Sequence, residues 1–358
     1  MHSSQTLSSL PEYLTYDDVL LLPRYSEVTP SSTDVSSKLT EKISLEIPIV
    51  ASPMDTVCES RMAIEIARLG GYGIIHRNLS IDDQVKESKN VLKETDHFGA
   101  AVGIGSDFEQ RVEALVKAGV KEITVDSAHG HTKGVIEATE YLSQKYKEID
   151  VMSGNVATYS GAKALFEAGA TAIKVGMGPG SICTTRVMSG MGVPQLTAVV
   201  EAVRAASEVG GKVIADGGIR TSGDITKALA AGADSVMLGS LLAGTDEAPG
   251  DMIQIDGKMY KSYRGMGSVA SMKQGSAARY GQKWKSGKTK KLVPEGIEGL
   301  VPHRGSLEDH LHQLVGGIKS GMAYLGAENI SDLRERAQFI KISNTALLES
   351  RPHSIVMK

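Results

Sequence analysis

Eight short, continuously apolar runs recur along the chain, each followed by a small or polar cluster and then a helical stretch. They are 49–52 (IVAS), 73–76 (GIIH), 100–103 (AAVG), 122–126 (EITVD), 151–155 (VMSGN), 172–176 (AIKVG), 213–216 (VIAD) and 235–239 (SVMLG). Runs without polar alternation suit parallel strands covered on both faces. Between them, 108–118, 160–168, 195–208 and 222–231 carry apolar residues at helical spacing. Several of these end at Ala-Gly, where a helix C-cap needs a positive φ. Eight such beats predict a closed (β/α)8 barrel, the TIM-barrel architecture. A doubly wound sheet is the alternative, but its phosphate glycines would follow the first strand, and here they follow the last two.

Two stretches fall outside the repeat. After the eighth run, 245–305 carries no barrel-like element; 252–260 (MIQIDGKMY) predicts a small hairpin turning on Asp256-Gly257. The long, basic, Gly-rich stretch 271–305 has the composition of a mobile lid, and 307–325 predicts a final helix on the barrel. Residues 1–45 are expected to wrap the outside or cover the barrel floor. The expectation is one catalytic barrel over 1–358, with a hairpin and flap at 251–305.

Composition narrows the function class. Abundant Gly (39 residues) with only 4% aromatics suits many βα turns and argues against an aromatic platform for single-stranded nucleic acid. The net charge of -3 implies no global attraction to nucleic acid. The run Lys283, Lys285, Lys288, Lys290, Lys291 reads as a solvated loop or as an anion contact. Two cysteines, Cys58 and Cys183, make no disulfide framework. No signal-peptide pattern opens the chain and no apolar run spans a bilayer, so a cytoplasmic location without membrane partners is expected.

In such barrels chemistry gathers on the loops after the strands. Gly217-Gly218 and Gly239-Ser240, after runs seven and eight, are placed to offer backbone N–H groups and a hydroxyl to a phosphate. Asp216, just before them, reads either as a ribose-diol acceptor or as a structural ion pair. The loop 176–186 (GMGPGSICTTR) sets Cys183 behind three glycines and a proline, exposed enough to act as a nucleophile. Arg186 and nearby amides are expected to favour its thiolate. Cys58, near a helix start, reads as a buried small hydrophobe. His129 and His131 (AHGH) are the nearest approach to a metal pattern, and a weak one.

These segments resemble a known family. GMGPGSICTTR (176–186), IADGGIR (214–220), YRGMGS (263–268), LVPEGIEG (292–299), LTYDDVLLLP (14–23) and VASPMDTV (50–57) are similar, in order, to the IMP dehydrogenase/GMP reductase family. The resemblance runs from about residue 10 to the C-terminus. It implies a barrel, usually a homotetramer, in which a cysteine attacks C2 of a purine nucleoside monophosphate. In the dehydrogenase branch a hydride then passes to NAD, a lid displaces the nicotinamide, and water releases XMP. Carried over, Cys183 is the nucleophile and Thr185 an assisting hydroxyl. Ser52, Ser181, Gly218, Gly239, Ser240 and Tyr263 belong to the nucleotide side, with Asp216 on the ribose. Gly265, Met266, Gly267 and Glu295 lie about the base. Asp126, Ser127, Asn155, Gly176 and Gly178 lie toward NAD. Carbonyls of Gly178, Gly180 and Cys183, with Glu349, Ser350 and Arg351 of a neighbouring subunit, imply a potassium site; the family more often has His where Arg351 stands.

The resemblance has two enzymatic branches. Arg279-Tyr280 in GSAARYGQ, YRGMGS and VDSAHGH (125–131) match the dehydrogenases, whose lid Arg-Tyr pair activates water. Free arginine is a very poor base, so that use requires a tuned environment. NADPH-dependent GMP reduction and a non-catalytic nucleotide-binding barrel are the alternatives. Two departures stand out. The paired nucleotide-sensing CBS modules usually inserted near 80–98 are missing, which implies no regulation through them. Gly281 follows the Arg-Tyr pair where an aromatic is frequent.

Overall fold

The computed structural model describes residues 10–280, 282, 292–352 and 354–355. Residues 1–9, Gly281 and the lysine run Lys283, Lys285, Lys288, Lys290, Lys291 lie outside the described residues.

The eight apolar runs form the barrel strands β1 (Ile49–Ala51), β2 (Tyr72–Ile75), β3 (Phe98–Val102), β4 (Glu122–Asp126), β5 (Asp150–Val156), β6 (Ala172–Val175), β7 (Lys212–Asp216) and β8 (Ser235–Leu238). Each pairs in parallel with its neighbour, and β8 closes onto β1 through Val236 opposite Ile49. Most strands are buried along their whole length, which is why they read as unbroken apolar runs. Helices α1 (Ser60–Arg68), α2 (Ile81–Val91), α3 (Phe108–Ala118), α4 (Lys133–Lys145), α5 (Tyr159–Glu167), α6 (Gln195–Ser207), α7 (Ser222–Ala230) and α8 (Leu307–Leu325) form the outer layer. Gly119, Gly169 and Gly232, the glycines of the Ala-Gly ends, take positive φ as expected. From α2 the chain reaches β3 through residues 92–97, with no module between them.

Strand alternation divides the core in two. Outward side chains such as Ile123 and Val125 pack under the helices. Inward ones, including Val50, Tyr72, Ile74, Met152, Ile214 and Met237, fill the barrel with Leu39 and Leu45. Those two leucines belong to a hairpin, Ser37–Lys38 with Ser44–Leu45, that plugs the barrel floor. Fully burying each contributes about 1.5–3 kcal/mol. Thr40 Oγ1 donates to Asp150 Oδ2 at 2.6 Å and pins the plug to β5. Val19–Leu21, by contrast, pairs outside the barrel with Phe339–Lys341. The N-terminal segment thus does both jobs expected of it.

The excursion after β8 holds the predicted hairpin, β9 (Met252–Ile255) and β10 (Lys258–Arg264), turning on Asp256 and Gly257, both at positive φ. A third strand, β11 (Glu298–Pro302), was not expected; it pairs antiparallel to β10. Nothing in its own pattern marks it, because its partner lies more than thirty residues back along the chain. The result is a three-stranded sheet from which 265–280 and 292–297 reach the barrel mouth.

Candidate active site

The loops at the C-terminal ends of the strands converge on one cavity. Ser52 after β1, Asp126 of β4 and Ser127 after it, Asn155 of β5, Gly176 to Cys183 and Thr185 after β6, Asp216 of β7 with Gly217 and Gly218 after it, and Gly239-Ser240 after β8 all line it. From the excursion come Tyr263, Gly265, Met266, Gly267, Arg279, Tyr280 and Glu295. Distant motifs of the sequence therefore meet at a single mouth.

Cys183 is half-buried, whereas Cys58 is fully buried, as their settings predicted. The Cys183 thiol donates to Thr185 Oγ1 at 3.2 Å. Its loop is laced to the excursion: Thr184 N–H donates to the Glu295 carbonyl at 2.9 Å, and Ile297 N–H to the Ile182 carbonyl at 2.9 Å. Glu295 N–H in turn donates to the Gly267 carbonyl at 3.1 Å. Three segments, 182–184, 265–267 and 295–297, thus hold one another. Sequence patterns showed each segment but not the lacing. The Arg186 guanidinium donates to the carbonyls of Met177 (3.2 Å) and Val193 (2.5 Å) and braces the loop, while lying near enough to Cys183 for the two charges to interact.

Packed beside this loop, through Gly217 and Gly218 against Pro179, β7 and β8 present the glycine cradle. Gly239 is needed there because a Cβ would stand 2.7 Å from the Tyr263 hydroxyl. Burial pushes the Tyr263 phenol up, against a hydrogen bond from Ser181, so it stays a neutral donor. Gly176 has φ +151, and a Cβ there would collide with the Asp216 carbonyl. This close approach brings the β6 and β7 loops together. Asp216 Oδ2 accepts from Asn155 Nδ2 at 2.8 Å, and its side chain stays 20% exposed toward the mouth.

Lys174 is a cavity-lining residue that the motif reading passed over. It lies in the middle of β6 with its side chain 1% exposed, donates to Asp126 Oδ1 at 2.7 Å, and stands 3.6 Å from Asp216 Oδ2. A lysine inside an aliphatic strand was the available signal. Burial pulls its ammonium down and the Asp216 charge opposes that fall. Asp126 also meets Arg279, as an ion pair rather than a well-directed hydrogen bond. Burial pushes Arg279 down to about 10, with the like charge of Arg77 adding to it and Tyr280 opposing; contact with Asp126 also opposes it. Burial likewise raises the Tyr280 phenol.

Three residues do not join the cavity within this chain. Glu349 ends the short helix Asn344–Glu349, Ser350 caps it and Arg351 follows, near enough to Asp17 for its charge to act there. They were expected to serve a neighbouring subunit, not their own loop. His129 and His131 stack edge-on at 6.4 Å, and no group of three potential metal ligands occurs among the described residues. No helix among those residues is long and apolar enough to cross a membrane.

A family model described as the IMP dehydrogenase / GMP reductase domain matches residues 13–353. An inosine-5'-monophosphate dehydrogenase of Borreliella burgdorferi is 46% identical, covering 96% of this chain and 97% of its own. One from Cryptosporidium parvum is 45% identical, covering 96% and 95%. A third, from Aquifex aeolicus, is 42% identical, covering 97% and 96% in an alignment of 475 residues. This chain has 358 residues, so well over a hundred of those positions have no counterpart in it. With the cysteine loop, the glycine cradle and the Arg-Tyr pair gathered at one barrel mouth, the match over nearly the whole length settles kinship: the chain belongs to the IMP dehydrogenase / GMP reductase family.

Proposed function

We propose that this chain oxidises inosine 5'-monophosphate to xanthosine 5'-monophosphate with NAD as hydride acceptor, through a covalent adduct on Cys183. The observation that carries this reading is the placement of Cys183 between the glycine cradle and Arg279-Tyr280, at one mouth. Gly218, Gly239, Ser240, Ser181 and Tyr263 offer donors to the phosphate. Asp216 takes the ribose diol, and Gly265, Met266, Gly267 and Glu295 border the base; Ser52 lines the same side. The Cys183 sulfur then reaches C2 of the hypoxanthine. As the S–C2 bond forms, the C2=N3 π electrons move onto N3, which takes the thiol proton relayed through the Thr185 hydroxyl and releases it once the hydride has left. C2 next releases its hydrogen with the bonding electron pair, leaving a thioimidate.

NAD, when bound, accepts that hydride. Asn155 Oδ1 fits its nicotinamide riboside half, since it is a buried acceptor without a hydrogen-bond partner, and Asp126, whose Oδ2 is ion-paired with Arg279, lines the same space. Ser127, Gly176 and Gly178 border the same space. Water then attacks C2, the C2–S bond breaks, and Cys183 recovers its proton as XMP leaves. Arg279 and Tyr280 are assigned to this half. Both are placed to orient that water; burial works against the Arg279 charge and the Asp126 contact works for it. Carbonyls of Gly178, Gly180 and Cys183 would hold a potassium ion, completed by Glu349, Ser350 and Arg351 of a neighbouring copy in a homotetramer. That the excursion acts as a mobile lid, that the chain forms one catalytic unit without CBS regulation, and that it works in the cytoplasm belong to the same proposal.

The test is an absorbance assay offering IMP with NAD and potassium, or GMP with NADPH. NADH is expected from the first pair only; ammonia released from GMP would make the chain a reductase. Cys183→Ala is expected to abolish turnover while IMP still binds, as read by calorimetry. XMP from that variant would end the covalent reading.

A further inference from the structure

One carboxylate outside the cavity gathers more hydrogen bonds than its position at a turn requires. Asp55 follows Met54, a cavity-lining residue, and its side chain is only 4% exposed. Arg264 donates to it twice, Nε to Oδ1 at 3.0 Å and Nη2 to Oδ2 at 2.9 Å. Asn78 Nδ2 donates to Oδ2 at 2.6 Å and Ser271 Oγ to the same oxygen at 3.3 Å. Arg264 Nη2 also donates to Gln274 Oε1 at 2.6 Å. The four donating bonds thus come from the loop after β2, the last residue of β10, and the short helix Val269–Gln274. Its return strand joins in, since Glu298 Oε1 accepts from Ala270 N–H at 3.2 Å. Bidentate Arg–carboxylate pairs with further donors fix geometry as well as energy.

What this cluster fixes is the base of the excursion. Arg264 immediately precedes the 265–267 turn at the cavity, and Ser271 and Gln274 immediately precede Gly275. There the chain changes character: Gly275 has φ +135, a conformation open to glycine, and a Cβ there would sit 3.2 Å from Asn78 Oδ1. Asn78 Oδ1 is itself buried without a partner. Arg279 and Tyr280 follow within five residues. Tyr280 lies close enough to Cys183 and Glu295 for their charges to act on its phenol.

We propose that Asp55 is a positioning residue that clamps the root of the excursion to the barrel rim, so that Gly275 is the pivot from which Arg279-Tyr280 reach Cys183. The inference rests on the reading that Arg279-Tyr280 serve the hydrolytic half of the reaction. Hydride transfer does not need the pair in place, whereas hydrolysis does; loss of the clamp separates the two.

The experiment compares the full chain with Asp55→Asn, which keeps shape and removes charge, and Asp55→Glu, which keeps charge. Two readouts are taken: alkylation of Cys183 by iodoacetamide in the protein alone, and the NADH burst against steady-state turnover with IMP and NAD. Buried Cys58 leaves Cys183 as the reporting thiol. Asp55→Asn is expected to alkylate about tenfold faster and to turn over about tenfold more slowly, with its burst retained, since misplacing a catalytic group by an ångström costs on that order or more. Asp55→Glu is expected to recover part of both. An unchanged alkylation rate overturns the clamp, as does a burst that falls in step with turnover. Should Asp55→Asn fail to fold, Ser271→Ala removes one donor and faces the same criteria. If the unaltered chain makes no NADH from IMP and NAD, the functional reading fails, while alkylation still decides the clamp.

Discussion

At the scale of single residues, the electrostatics of the mouth turn on Lys174. Its ammonium serves two carboxylates, Asp126 and Asp216, that both line the cavity. Removing one partner of a buried ion pair leaves charge without compensation, at a cost of about 3–5 kcal/mol. Lys174→Met is therefore expected to lower the unfolding free energy by that amount in urea, and Lys174→Arg to recover much of it. Gly239→Ala is a milder probe. It crowds the buried Tyr263 hydroxyl, so IMP affinity should fall at least about tenfold, one misplaced group's worth, with a stability loss of about 1–3 kcal/mol by calorimetry. The lone lysine in AIKVG was visible in the chain as a charge inside an aliphatic strand. Its partner Asp126 was not, because it lies 48 residues away on a non-adjacent strand.

At the scale of elements, β4 combines a functional end with a titrating one. Asp126 at its C-terminal end faces the cavity, while Glu122 at its N-terminal end is sealed inside the barrel. Burial pushes Glu122 up to about 8, although Thr124 Oγ1 donates to its Oε1 at 2.8 Å; Oε2 is buried without a partner. Because the folded chain keeps this proton to higher pH than the unfolded one, its contribution to stability is full below about 4.5 and is lost as pH rises toward 8. Urea midpoints should fall across that window, and Glu122→Gln should flatten the decline. A Glu122→Gln profile as steep as that of the unaltered chain would show that another group titrates there. Periodicity marked β4 correctly as a buried strand, yet it could not say that Glu122 points inward. That direction depends on register, which closure of the barrel sets.

At the scale of the whole molecule, barrel and excursion share the lining of one cavity. The barrel strands supply Cys183, Asp216 and the cradle, and the excursion supplies Arg279, Tyr280 and Glu295. Arg279→Ala is expected to slow steady-state turnover far more than the NADH burst, by about a hundredfold, the usual worth of a positioned acid or base. Equal loss of both phases in stopped-flow absorbance would remove Arg279 from the hydrolytic step. Much of this design is local and so could be read from the chain alone. Unbroken apolar runs must be covered on both faces, helix ends need glycine, and glycines after the last strands suit an anion. Those rules determined the barrel, the order of its strands, the final helix Leu307–Leu325 and the loops that line the cavity. Tertiary structure alone decided the third strand Glu298–Pro302, the Lys174 ion pairs, the lacing of Cys183 to 295–297, and the Asp55 clamp. Each is a contact between residues far apart in sequence, chosen by which groups the closed barrel brings within hydrogen-bonding range, and no local pattern encodes that proximity.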